Sequence, residues 1–244
     1  MIDLKENERI DDLQRCGLKI IQNKEMFCFG IDAVLLSSYV TVNEGDKVLD
    51  LCSGNGIIPI LLSAKTKASS ITGLEIQKDC CELANRSIQM NGIEDRVSMI
   101  CEDLKNIKNC IKPSSFDVVT CNPPYMIDNH GIKNPESYKA IARHEILCNF
   151  EDIVAAAKYA LKPQGRLALV HRPFRLVELI DTLTKYNLEP KRMKMVHPYI
   201  DKEPNMVLIE ACQGGKRRLT VDKPLVVYES DNRYTQEIYD VYGY

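Results

Sequence analysis

The chain has 244 residues, 45% of them hydrophobic, and a formal net charge of -2. That length and apolar content suit one α/β domain, or one with a small appendage, and exclude a disordered chain. No apolar run approaches the roughly 20 residues of a membrane helix, and the charged opening MIDLKENERIDDLQ lacks a signal-peptide core, so no membrane association and a cytosolic location are expected.

The first dozen residues are polar and are expected to be mobile or weakly docked. GLKIIQNKEMFCFG then reads as two short extended runs around Gln22-Asn23-Lys24. Asp32 precedes a helix over Ala33 to Tyr39 and is placed to cap it. Residues 1–40 are accordingly read as an N-terminal extension, a short hairpin plus a helix packed on the core, and 41–244 as the main domain.

KVLDL, from Lys47, is a short apolar run with polar flanks, as a buried parallel strand would be. CSGNG follows, then the helix-like IIPILLSAKT. ITGLEI is a second strand. Lys78 to Met90 is a helix stopped by Asn91-Gly92. VSMIC is a third strand and FDVVTC, Phe116 to Cys121, a fourth. Asp152 to Leu161 is a helix, ended by Lys162-Pro-Gln-Gly165. RLALVH is a fifth strand, and Pro173 to Tyr186 suits a helix with Pro in its first turn. LEPKRMKMVHPY and NMVLIEACQ form a closing pair of strands. Strands alternating with helices at this spacing imply a doubly wound, mostly parallel sheet, which binds ligands at the C-terminal ends of its strands.

Candidate chemistry falls just after those strands. Asp50-Leu-Cys-Ser-Gly-Asn-Gly56 ends the first and opens a helix; its glycines permit a tight turn and close approach of a ligand. Such a turn alone is shared by several cofactor classes. Glu75 ends the second strand, where an acid can accept hydrogen bonds from both ribose hydroxyls of an adenosine-type cofactor. Asp103 follows the third strand and can hold an adenine amino group. A dinucleotide fingerprint would read GxGxxG, to seat a pyrophosphate, but here GNGIIP puts Pro59 in the third position. S-adenosylmethionine has no phosphate and needs no such cradle.

Asn122-Pro123-Pro124-Tyr125 follows the fourth strand. Consecutive prolines fix φ and remove two backbone donors, so the loop is stiff and its carbonyls are free to accept. The Asn122 side-chain oxygen and the Pro123 carbonyl can each accept one proton of a planar, poorly nucleophilic amino group, favouring the positive charge that develops on it. Tyr125 can stack on the planar group. The four residues do not by themselves choose between a purine and an amide.

DLCSGNG, GLEI, Glu102-Asp103 and NPPY together resemble an amino-methylating class I methyltransferase. FGIDAVLLSS, ARHE at Ala142 to Glu145, LKPQGRLALVHRP and PLVVYESDNRYTQEIYDVYG extend the likeness to the bacterial tRNA1(Val) adenine-37 N6-methyltransferase family, from about Leu13 to the end. The resemblance implies a Rossmann-like, seven-stranded sheet with a reversed last strand. It also implies S-adenosylmethionine as donor and N6 of a tRNA adenosine beside the anticodon as acceptor; no metal is expected, because paired ligand spacings are absent. It assigns cofactor contacts to Asp50, Cys52, Gly54, Gly56, Glu75, Asp103 and Asn122, and amino-group binding to Asn122, Pro123, Pro124 and Tyr125. Asp32 would lie over the methionine end of the cofactor. Cys52 and Ser53 depart from the Gly or Thr that many relatives carry, which matters little if backbone atoms make the contacts.

Other residues are weaker candidates. The ten cysteines are scattered without a CxxC pair, and His130, His171 and His197 lack metal-like spacing. Arg143-His144-Glu145 can touch substrate or close the pocket. Between Lys185 and Lys223 nine Lys/Arg face five Asp/Glu, and Lys191, Arg192, Lys194, Lys216, Arg217 and Arg218 can meet tRNA phosphates. The competing acceptors are a release-factor glutamine N5 and a guanine N2. A non-catalytic RNA-binding module is the competing class. Oligomeric state is open, a monomer being one option.

Overall fold

The structure, a computed structural model, describes residues 3–26, 28–125, 147–230 and 233–243. Arg143, His144, Glu145 and His130 lie outside the described residues.

The core sheet is built from β3 (Lys47–Leu51), β4 (Ser70–Glu75), β5 (Val97–Cys101), β6 (Phe116–Cys121), β7 (Leu161–His171), β8 (Leu188–His197) and β9 (Met206–Gln213). Their spatial order is β5-β4-β3-β6-β7-β9-β8. All run parallel except β9, which is antiparallel to both neighbours. The seven expected strands and the reversed last one are therefore present. Two short strands the sequence reading did not contain, β10 (Thr220–Val221) and β11 (Leu225–Val226), extend the edge beside β8. From β3 the chain runs outward through β4 and β5, then returns to β6 on the other side. The strand order thus switches between β3 and β6, and the crevice above that point is where an open α/β sheet takes its ligand.

The strands are apolar because helices cover both faces. Val48, Val118, Ala168 and Val170 pack in one layer with α1 (Ile31–Tyr39) and α2 (Ile57–Lys65). Leu49, Leu51, Val119, Cys121 and Leu167 face the other way, onto α4 (Phe150–Ala160) and α5 (Leu176–Lys185). Between α2 and α4 in the chain, α3 (Lys78–Asn91) ends at Gly92, which takes the left-handed conformation at φ 62°. Helix α4 starts two residues before its expected position, because Asn149 and Asp152 form a reciprocal capping box. Pro173 starts a separate 3-10 turn, Pro173–Arg175, rather than α5 itself.

Two expectations about the N-terminal region are corrected. The polar opening contains β1 (Glu8–Asp12), paired antiparallel with β2 (Lys19–Asn23), so the hairpin lies earlier than Gln22-Asn23-Lys24 would put it. Its anchor is tertiary: Arg86 on α3 makes two bonds to the Glu8 carboxylate, at 2.8 and 2.9 Å. Asp32 is not a helix cap. The helix begins at Ile31 with Gly30 in the cap position, which puts Asp32 in the first turn. Leu13, Leu18, Ile20 and α1 share one apolar cluster with the sheet.

Among the described residues, no helix is long and apolar enough to cross a membrane. The last helix, α6 (Gln236–Tyr242), closes the chain near α1.

Arg96 ties the end of α2 to the strand that follows. Its guanidinium donates to the carbonyls of Ser63, Thr66 and Ala68, each at 3.1 Å. Arg96→Ala strands those acceptors and should lower the unfolding free energy by about 2 kcal/mol in urea titration. An unchanged midpoint would mean that solvent replaces the contacts.

Candidate active site

The turn after β3 is pinned to the end of β4. Ser53 N–H donates to the Leu74 carbonyl at 3.1 Å, and Gly54 N–H to Glu75 Oε2 at 2.8 Å. Gln77 N–H donates to the other oxygen, Oε1, at 2.9 Å. Glu75 is 5% exposed, and burial pushes its carboxyl above the usual range, against these backbone donors. Two glycines allow the close approach. A Cβ at Gly73 would stand 2.4 Å from Met99 Sδ and 2.6 Å from Ser53 Oγ. Gly56 has φ 79°, and a Cβ there would lie 3.0 Å from that of Ala84 on α3.

Asp50 sits beneath this turn. It points to the α1/α2 face and lies opposite Thr120 in the β3–β6 register. Thr120 Oγ1 donates to Asp50 Oδ1 at 2.6 Å, while Oδ2 is buried without a hydrogen-bond partner among the described residues. Burial pushes the carboxyl up to about 7; the Thr120 hydroxyl opposes the shift. Asp103 caps the 3-10 turn Leu104–Asn109, accepting from Lys105 N–H at 2.9 Å, so its cap role and its place at the site coexist.

Cys52, Gly54, Glu75, Asp103, Asn122 and Pro124 line one cleft that opens to solvent. Asp32, Asp50, Gly56, Pro123 and Tyr125 do not form its wall. Asp50 and Gly56 support the turn from below. Tyr125 lies behind Asn122, its hydroxyl within reach of Asn122 Oδ1 and 2.9 Å from Asp32 Oδ2. The Tyr125 ring meets His171 edge-on at 5.2 Å, and the Arg172 guanidinium lies over it at 4.9 Å. Burial pushes the Tyr125 phenol well above its ordinary range, with Asp32 adding to the shift, so the hydroxyl remains a donor. His171 is held low, to about 3, by burial and the neighbouring Arg175, so it is neutral. The sequence reading missed Phe29, Glu102, Leu104 and Cys148, which also line the cleft. Glu102 and Leu104 flank Asp103 and were legible by adjacency; Cys148 carried no local signal.

The cleft is acidic. Glu75, Glu102 and Asp103 line it, and no Lys or Arg does so among the described residues. A pyrophosphate would be repelled by those carboxylates, whereas a neutral or cationic ligand would not.

The family model for the methyltransferase small domain matches residues 17–187. The chain belongs to that family. It is a methyltransferase. A Tolumonas auensis protein named tRNA1(Val) (adenine(37)-N6)-methyltransferase is 27% identical over 227 residues, covering 93% of this chain and 89% of its own. One of the same name from Parabacteroides distasonis is 29% identical over 203 residues, covering 80% and 77%. Among solved structures, Atu636 of Agrobacterium tumefaciens, described as a predicted O-methyltransferase, superposes with a TM-score of 0.70 at 23% identity, covering 86% of this chain and 95% of its own. Trm5 of Methanocaldococcus jannaschii, in complex with adenosine, gives 0.61 at 14% identity, covering 88% and 57%. These two establish the fold.

In this methyltransferase the cationic candidates divide. Arg192 lies 4.2 Å over the Tyr39 ring and 3.4 Å from Asp222, and Lys194 pairs with Glu237 at 3.2 Å. Lys191 Nζ donates to the Lys216 carbonyl at 2.6 Å. Lys216, Arg217 and Arg218 are exposed but follow β9, the reversed strand. They therefore lie at the edge of the sheet where the parallel strands begin, opposite the Asn122 loop.

Asp50 makes stability depend on pH. An acid whose pKa is raised by folding keeps its proton where the unfolded chain has lost it. The contribution is complete below about pH 4 and is lost as pH rises towards 7. Asp50→Asn should remove this slope. Urea unfolding should show the variant gaining about 2 kcal/mol on the parent between about pH 5 and about pH 7.5. A difference constant with pH would contradict the assignment.

Proposed function

We propose that the protein transfers the methyl group of S-adenosylmethionine to the exocyclic N6 of a tRNA adenosine, adenosine 37 beside the anticodon of a valine tRNA. One observation carries the reading. Asn122 and Pro124 line the same cleft as the two acids suited to an adenosine, Glu75 and Asp103. The names of the Tolumonas and Parabacteroides relatives support adenine over a glutamine amide.

The cleft fits the donor. Its buried acid, in a wall with no Lys or Arg among the described residues, suits a ligand with positive charge and no phosphate. Glu75 would take the ribose hydroxyls and Asp103 the adenine amino group. Space is open beside Gly54, where a Cβ would meet nothing within 4 Å. When bound, S-adenosylmethionine supplies a methyl group on a positively charged sulfur.

The chain's own residues then position the acceptor. The Asn122 side-chain oxygen and the Pro123 carbonyl accept the two amino protons and stabilise the charge that grows on nitrogen. With the donor bound, the nitrogen lone pair would form the new N–C bond as the C–S bond broke with its electron pair going to sulfur, and the surplus proton would leave for water. No tuned base is required. The RNA approaches the edge where the parallel strands end. Phe174, 73% exposed just after β7, offers a stacking face there, and Arg172 and Lys202 offer charge.

The test is labelled S-adenosylmethionine with unmodified bulk tRNA and, separately, with release factor, read by nucleoside mass spectrometry. N6-methyladenosine in tRNA is expected; label in release-factor glutamine alone would overturn the acceptor. Asn122→Ala should keep donor affinity and lose turnover by about 10²- to 10³-fold. Preserved turnover would remove Asn122 from the chemistry.

A further inference from the structure

The Tyr125 hydroxyl has one hydrogen and faces two oxygens. Asp32 Oδ2 stands 2.9 Å away, and the atom on the near side of the Asn122 amide completes the pair. A single O–H cannot serve both acceptors. An amide can turn by half a rotation and present its NH₂ in place of its oxygen with almost no change of shape. The arrangement that satisfies every group is a chain: Asn122 Nδ2–H donates to Tyr125 Oη, and Tyr125 O–H donates to Asp32 Oδ2.

The far end of that chain is fixed. Asp32 Oδ1 accepts from Ala33 N–H at 2.9 Å, in the first turn of α1. The carboxylate lies where residue 30 has no side chain: a Cβ at Gly30 would come 2.9 Å from Oδ1. The Tyr125 ring is held on its other sides by His171 and Arg172.

We propose that Asp32 is a positioning residue. Through the Tyr125 hydroxyl it holds the Asn122 amide with its nitrogen inward and its oxygen towards the cleft, where the acceptor amine must find it. This rests on the acceptor reading above and deepens it. It also replaces the expectation that Asp32 lies over the cofactor, since Asp32 is not in the cleft wall. A carboxylate only accepts, which sets the polarity of the chain. Asn at that position has one oxygen for two donors, and Tyr125 is then free to donate to Asn122 and turn its oxygen inward.

The variants are Asp32→Asn, Tyr125→Phe and the double variant, in full-length protein whose folding is checked by thermal melting and whose donor affinity is checked by calorimetry. Each single variant should lower kcat on unmodified tRNA by about 10- to 100-fold, with donor affinity nearly unchanged. The double variant should be no worse than Tyr125→Phe, because both changes break one chain. Independent, multiplying losses would overturn the proposal, as would an Asp32→Asn enzyme with full turnover or one impaired only in donor binding. A second readout needs no acceptor. The Asn122 side-chain amide signals in nitrogen-15 NMR, assigned by their loss in Asn122→Asp, should move in both single variants. If both leave them in place, the relay does not exist. A wild type that methylates no tRNA would reject the acceptor reading, and the amide signals alone would then judge the relay.

Discussion

The contact on which the site depends is the bond from Gly54 N–H to the Glu75 carboxylate. It joins the turn after β3 to the end of β4 and holds a buried acid at the switch in strand order. The neighbouring bond from Ser53 N–H to Leu74 sets the height of the turn. Gly73, opposite Asp50 in the strand register, has no room for a side chain. The backbone therefore makes the cleft, and the side chains that line it are consequences of where the strands end.

Electrostatics then selects what the cleft can hold. Glu75, Glu102 and Asp103 gather in a wall that holds no Lys or Arg among the described residues, with Lys105 Nζ 3.7 Å from Asp103 Oδ2 outside that wall, and Asp50 lies buried just beneath, one oxygen without a hydrogen-bond partner among the described residues. Such a site is costly when the acids are ionised and empty of cations, which is why burial raises both Asp50 and Glu75. A phosphate would worsen the imbalance and a positively charged ligand would relieve it. The stiff Asn122-Pro123-Pro124 segment meets this cleft from β6, and Asp32 reaches the same loop from α1. The proposed donor site and the proposed acceptor clamp are thus fixed by different strand ends of one sheet.

The central strands were legible because both faces are covered, so KVLDL and FDVVTC are mostly apolar, broken only by Lys47, Asp50, Asp117 and Thr120. The glycine turn, Glu75, Asp103 and the proline loop were legible because they occupy fixed places after those strands. What was not legible depended on distant partners. Glu8 to Asp12 is polar in sequence and becomes a strand through Arg86, 78 residues from Glu8. Asp32 reads as a helix cap until Tyr125, 93 residues away, is seen to hold it. Cys148 enters the cleft wall without any local pattern. The basic run at Lys216 to Arg218 has the composition of a phosphate contact but follows a reversed strand to the far edge.

The claim that this cleft is the donor site is tested most directly by calorimetric titration of S-adenosylmethionine into the wild type and Glu75→Ala. Removing the carboxylate proposed to take the ribose hydroxyls should weaken binding by about tenfold or more while the fold, followed by circular dichroism, persists. Equal affinity in the two proteins would place the donor elsewhere and contradict the account.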